Sequence, residues 1–191
     1  LWLVYLVLPT RNHYWDGIGF ALNIEGVAQD HNGLALGTQA EGSHSIYFNP
    51  NHLLHNLFGY LIYSPIRAVW PAARALDVLV AVNSFLGALT AWLLFRILNR
   101  WSGDAPLSGL VTLLLGFSAT WWKFSTDANA YVPSVCLLVW CTWMLTDTSR
   151  RPKVFAVGVV HAVAILIHQI AVLFYPAVVL AIWLHPAAAN R

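Results

Sequence analysis

The sequence predicts an all-α fold: a polytopic bundle of transmembrane helices whose first loop carries interfacial helices. Three observations carry this expectation. The 191 residues are 59% hydrophobic and only 9% charged, with mean hydropathy +0.63, whereas a soluble domain carries about 25% charged residues. A chain so poor in charge cannot cover a water-facing surface, and a bilayer is its natural solvent. The apolar residues gather in a series of long runs, and the 10 Trp and 7 Tyr suit rings anchored at membrane interfaces.

The runs are taken in chain order. Residues 1–8 are apolar but short, since a span needs about 20 residues. They are expected to be the end of a first span whose start lies outside the sequence. The last run stops just before Arg191, so both ends are expected to be cut. No cleavable signal peptide is present, and the lost first span would serve as the targeting signal. Residues 10–75 form one large loop, with Asp16, Glu25, Asp30 and Glu41 in its acidic first part. Further spans are expected over 78–97, 106–122, 131–145, 154–167 and 170–184. The last three are short and would tilt little or thin the bilayer. A break at His168-Gln169 separates the final two.

Segment 52–69 suits a span by length but not by pattern. His52, His55, Asn56 and Gly59 follow helical spacing along one side, with Leu53, Leu54, Leu57, Phe58, Leu61 and Ile62 on the other. That is an amphipathic helix lying in the interface, started by Asn49-Pro50-Asn51. The distribution of positive charge agrees. If 52–69 does not cross, Arg96, Arg100, Arg150, Arg151, Lys153 and Arg191 share one side. The acidic loop and the turn around Lys123–Ala130 then lie on the other, exoplasmic side.

The net charge of +2 is too small to point to nucleic acid. Cys136 and Cys141 lie five apart in one apolar run and are expected to be small core residues. The polar residues are more informative. A carboxylate or imidazole near membrane depth is costly to desolvate and tends to face a cavity or a partner. Tyr14-Trp15-Asp16-Gly17, the Asn49–Asn56 stretch, and Trp121-Trp122-Lys123 with Asp127 and Tyr131 converge on one membrane face. His168-Gln169 makes a fourth candidate.

Four stretches carry a resemblance. They are Tyr14-Trp15-Asp16-Gly17-Ile18-Gly19-Phe20-Ala21, Asn49-Pro50-Asn51-His52-Leu53-Leu54, and Phe117-Ser118-Ala119-Thr120-Trp121-Trp122 followed by Asp127 and Tyr131. The last is His168-Gln169 leading to Pro176. In order and spacing these resemble the motifs of the GT-C superfamily of membrane glycosyltransferases, and most of all its protein O-mannosyltransferase-like group. Two features depart from that pattern. Asn-Pro-Asn-His stands where the family has a His-Pro-Pro-type helix start. The first motif has one acidic residue, and the next, Glu25, comes nine positions on.

The resemblance implies transfer of a sugar from a polyprenyl-phosphate carrier to an acceptor hydroxyl of a protein, lipid or glycan. No cofactor or metal is implied. A carboxylate that accepts the hydroxyl proton during attack is worth about 10²–10⁴-fold in rate, and Asp16 is the candidate base. The departing phosphate needs positive or hydrogen-bonding partners. Lys123, Arg67, Arg74, His52 and His55 are the candidates, and Glu25, Asp127, Tyr131 and His168 are further substrate-binding candidates.

Plainer roles compete with these. Asp16 suits a helix N-terminus, Lys123 beside two Trp suits an interface anchor, and Asp127 and Tyr131 suit bonds between helices. His161, in mid-span, suits a bond to a neighbouring helix. His52 and His55 have an i, i+3 spacing but lack the further ligands of a zinc site. A secondary transporter, or a non-catalytic membrane assembly protein, fits the same composition. Arg outnumbers Lys eight to two, which suggests a GC-rich genome and hence a bacterial plasma membrane.

Overall fold

The computed structural model describes residues 1–29, 35–38, 51–147 and 153–185. Nine α-helices occur among them: α1 (Trp2–Val7), α2 (Trp15–Ile24), α3 (His55–Val69), α4 (Ala75–Ser102), α5 (Ala105–Gly116), α6 (Ala119–Ser125), α7 (Tyr131–Leu145), α8 (Val154–Ile167) and α9 (Tyr175–Trp183). A 3₁₀ helix, Gln169–Phe174, leads into α9. The only strands among the described residues, β1 (Val27–Gln29) and β2 (Ala35–Thr38), form a small antiparallel hairpin. The class is thus all-α apart from that hairpin, which the sequence did not announce. Asp30, His31, Glu41, His44, Asn49, Pro50, Arg150, Arg151 and Arg191 lie outside the described residues.

The helix ends follow from local chemistry. Asp104 accepts from the Leu107 amide at 2.9 Å and starts α5, and Ser118 accepts from Trp121 at 3.3 Å and starts α6. Both relieve amides that the first helical turn leaves unpaired. α4 stops where Gly103 adopts φ 69°, a left-handed conformation that glycine alone takes without cost. The start of α4 is capped from a distance, because the Ala75 amide donates to Glu25 Oε1 at 2.6 Å. A carboxylate there also faces the positive end of the helix dipole.

Helix α4 is the central element, packed against α7, α5, α6, α2, α3 and α1. α8 folds back along α7, held where Ser134 Oγ donates to the Ala164 carbonyl at 3.0 Å and Cys141 lies against Val157. One cluster of buried side chains joins Phe20, Ala21 and Ile24 of α2 to Tyr63, Val78 and Leu79. A second joins Cys141, Val157 and Val178. At one end of the bundle Arg100 donates to Thr146 Oγ1 at 3.0 Å and ties α4 to α7. The opposite end gathers α2, the start of α4, and the Ser125–Ala130 turn.

Several helices turn small or polar residues inward and large apolar ones outward. α5 buries Ser108, Thr112 and Gly116 and exposes Leu107, Leu110 and Leu114. α3 buries His55, Asn56, Gly59 and Tyr63 while Leu61, Ile66 and Val69 are exposed. The amphipathic pattern read for 52–69 is therefore present, with its polar side against the protein.

α4, 28 residues long, is the one helix among the described residues that is long and apolar enough to cross a membrane. The run expected as one span over 106–122 divides into α5 and α6, bent by 67°. The break falls at Phe117-Ser118, where Ser118 ends one helix by bonding the Leu115 carbonyl at 2.7 Å and caps the next. α7, α8 and Gln169–Trp183 are shorter apolar helices, and α8 ends at Ile167 with His168 extended, as the expected break at His168-Gln169 requires.

Gly17 shows how closely α2 is seated. A Cβ there would overlap the Ala128 carbonyl oxygen, whereas Gly109 on α5 faces open space. Gly17→Ala is expected to cost about 1–3 kcal/mol. Gly109→Ala should be neutral or stabilising by about 0.5–1 kcal/mol. Thermal melts of the two variants beside the parent chain check both.

Candidate functional site

The turn from Ser125 to Ala130 is buried throughout, unusual for a loop because its backbone groups must find partners away from water. Asn83, in the apolar body of α4, donates to the carbonyls of Asp127 at 2.7 Å and Asn129 at 2.9 Å. Ser84 donates to the Ser125 carbonyl at 3.2 Å. Asn129 Oδ1 accepts from the amides of Tyr131 and Val132 at 3.0 and 3.1 Å and so caps α7.

Asp127, with 0% exposure, accepts from the Tyr14 amide at 2.9 Å and from the Ala128 amide at 2.8 Å. His13 Nδ1 lies 2.8 Å and Lys123 Nζ 3.1 Å from its oxygens. Lys123 also donates to Thr10 Oγ1 at 3.3 Å and to the Asn12 carbonyl, and sits over the Tyr14 ring at 4.5 Å. Both residues of this ion pair are thus committed to the segment that precedes α2.

That segment sets Asp16 in the first turn of α2, exposed, on the wall of a cleft of about 260 Å³. Tyr14, Phe20, His52, Phe124 and Tyr131 line the same cleft. Behind them the rings are in mutual contact. His52 lies 4.5 Å from His168 and 5.1 Å from Phe20 between ring centroids, and His168 lies 4.3 Å from Tyr131. His55 packs on Phe20 at 4.6 Å. Two backbone bonds dock the loop that carries His52 onto the turn that carries His168: the Leu54 amide to the Leu166 carbonyl at 2.8 Å, and the Gln169 amide to the Asn51 carbonyl at 3.3 Å.

The structure therefore brings Asp16, His52 and Tyr131 to one cleft, with His55 and His168 in its aromatic backing. Asp127 and Lys123 lie beneath it in the bonding that holds Tyr14. Glu25 is not at the cleft but caps α4, and Arg67 and Arg74 stand near Glu25. His161 Nε2 faces the Ala171 carbonyl at 3.0 Å, outside the cleft. Among the described residues no group of three or more His, Cys, Asp or Glu is arranged to hold a metal ion.

His13, Asn83, Asn129, Phe20 and Phe124 take part without having been singled out from the sequence. For Asn83 a signal existed, a lone amide inside an apolar run. For His13 there was none, because its partner is 114 residues away. In comparisons with family models, curated proteins and solved structures, nothing matches this chain.

Burial disfavours the charged form of all three imidazoles. It pushes His55 down from 6.5 to about 3, assisted by repulsion from His52 and His168. It pushes His168 down to about 4, assisted by His52. It also lowers His52, against the opposing charge of Asp16 and a hydrogen bond at the Ile167 backbone.

Below 6.5 the unfolded chain binds protons that the folded chain refuses, so stability is complete above that pH and falls as the medium is acidified toward about 4. His55→Leu should flatten this dependence whatever it does to the plateau, as measured by denaturation midpoints between pH 7 and pH 4. Asp127→Ala leaves Lys123 and the Tyr14 amide without their partner and should cost about 3–5 kcal/mol, read by equilibrium unfolding at neutral pH.

Proposed function

We propose that this chain is part of a multi-pass membrane glycosyltransferase of GT-C type. It would move a sugar from a polyprenyl-phosphate carrier to an acceptor hydroxyl at the exoplasmic face of a bacterial plasma membrane. The observation that carries the reading is the cleft. Three chain segments far apart in sequence line it, at one end of the bundle, with a fourth at His168 behind them, and an exposed carboxylate stands among aromatic rings.

Such a site suits a sugar. Aromatic faces take the C–H face of a pyranose, and a carboxylate accepts from its hydroxyls or from the acceptor. Asp16 would take the acceptor proton while the acceptor oxygen bonds to the anomeric carbon. The bond from that carbon to the carrier phosphate breaks, and its electron pair leaves with the phosphate. Lys123 is bonded within the fold, so among the candidates His52, on the cleft wall, is the better placed to donate to the departing phosphate. One ring N–H is engaged at the Ile167 backbone, so donation to the phosphate needs the protonated ring, which burial disfavours and the charge of Asp16 favours.

The membrane part of the reading is supported by α4, which is long and apolar enough to cross, and by the outward apolar faces of α3 and α5. Small residues at helix contacts and large apolar ones outside are the arrangement expected where lipid is the solvent. The short helices would serve as spans by tilting little and by local thinning of the bilayer.

The test is transfer from a radiolabelled polyprenyl-phosphate hexose in membranes, comparing the parent with Asp16→Asn at matched expression. Loss of about 10²-fold or more is expected in the variant. Equal transfer by both would remove Asp16 from the mechanism.

A further inference from the structure

A second concavity lies beside α4's first turns. It is an open groove of about 670 Å³ between α3 and α4 that shares no lining residue with the cleft. Its walls are almost wholly apolar, with Phe58, Ile62 and Ile66 on α3 and Val78, Val82 and Phe85 on α4. Polar side chains enter at one end only. Arg74 and Asp77, both well exposed, pair there at 3.0 and 3.1 Å, beside Trp70.

The dimensions identify the kind of occupant. Along α4 the lining runs from Asp77 to Leu86, a rise of about 14 Å at 1.5 Å per residue. One leaflet of a bilayer offers about 15 Å of hydrocarbon depth. The polar end sits at the start of the helix, where a span meets the headgroups, and Trp70 marks that level. A peptide in extended form would need hydrogen-bonding partners along the groove, and the walls offer none below the mouth.

The charges identify the headgroup. Arg74 and Asp77 bring one cation and one carboxylate to the mouth, a net charge of zero. An anionic lipid gains little from such a mouth, whereas a headgroup with both charges can match it. A primary ammonium brings hydrogen-bond donors that Asp77 accepts, which a quaternary one lacks. We infer that this groove holds one acyl chain of an aminophospholipid, its phosphate on the Arg74 guanidinium and its primary ammonium on the Asp77 carboxylate.

The inference rests on the membrane part of the proposed function but not on sugar transfer. Its test uses the whole chain, washed in its membranes at alkaline pH and then reconstituted in phosphatidylcholine vesicles. The vesicles carry a trace of lipid with a diazirine in its acyl chain: phosphatidylethanolamine, phosphatidylglycerol, or polyprenyl phosphate with the diazirine in its tail.

Cross-linking to α3 and α4 is expected to be strongest with phosphatidylethanolamine, about fivefold above phosphatidylglycerol. Ala81→Trp, at an exposed groove position, should abolish it by filling the groove. Leu114→Trp, exposed on α5 outside the groove, should leave it intact. Arg74→Ala with Asp77→Ala should erase the preference between the two phospholipids while labelling persists. Equal or stronger labelling by phosphatidylglycerol or polyprenyl phosphate overturns the inference, as does full labelling of Ala81→Trp. Release of the chain by the alkaline wash would overturn the membrane reading itself, so the two failures are told apart before any probe is added.

Discussion

Asp127 keeps its carboxylate where water does not reach, and the segments around the cleft are arranged about that fact. A buried charge persists only when its oxygens are fully bonded. Here the amides of Tyr14 and Ala128, with His13 and Lys123, supply the partners. Together they draw in three pieces of chain: the segment before α2, the buried turn itself, and the last turn of α6. Asn83 completes the frame by meeting two carbonyls of the turn from within α4. Among the described residues, Asp16 takes its position from its neighbours. It is placed because Tyr14, two residues earlier, is fixed to Asp127, and because Gly17 lets α2 close upon Ala128.

The outward apolar faces impose a second constraint. In water the apolar stripe of a helix turns inward, and burial of that stripe supplies most of the driving force. In this chain α3 and α5 bury Gly, Ser, Thr, Asn and His instead. Their contacts are close and short-range, and they depend on small and polar side chains rather than on area removed from solvent.

The sequence disclosed the helical class and much of its segmentation, because apolar runs end where polar residues interrupt them. The expected 131–145 and 154–167 coincide with α7 and α8. The run over 78–97 lies inside α4, which continues beyond it because helical hydrogen bonds run on past Arg96, Asn99 and Arg100 until Gly103 stops them. The break at Phe117-Ser118 was harder to see. Hydropathy averages over it, and only the capping capacity of Ser118 marks it.

Periodicity identified the two sides of 52–69 but not which side meets protein, since that depends on what surrounds the helix. Motif order brought Asp16, His52, Tyr131 and His168 into one discussion. It could not separate Lys123 and Asp127 into a supporting pair, because their partners lie more than a hundred residues away. Glu25 as the cap of α4 was equally hidden, its acceptor role depending on a fold that brings together positions 50 apart.

That distant cap ties two places together mechanically. α2 is a short rod with Asp16 in its first turn and Glu25 at its far end, about 14 Å apart along the axis. Glu25 grips the first amide of α4, next to Arg74 at the groove mouth. Whatever tightens or loosens that first turn pushes on one end of the rod, and the cleft hangs on the other. A molecule in the groove that changed the cleft's affinity through this rod would, by reciprocity, find its own affinity changed by the same factor once the cleft is filled.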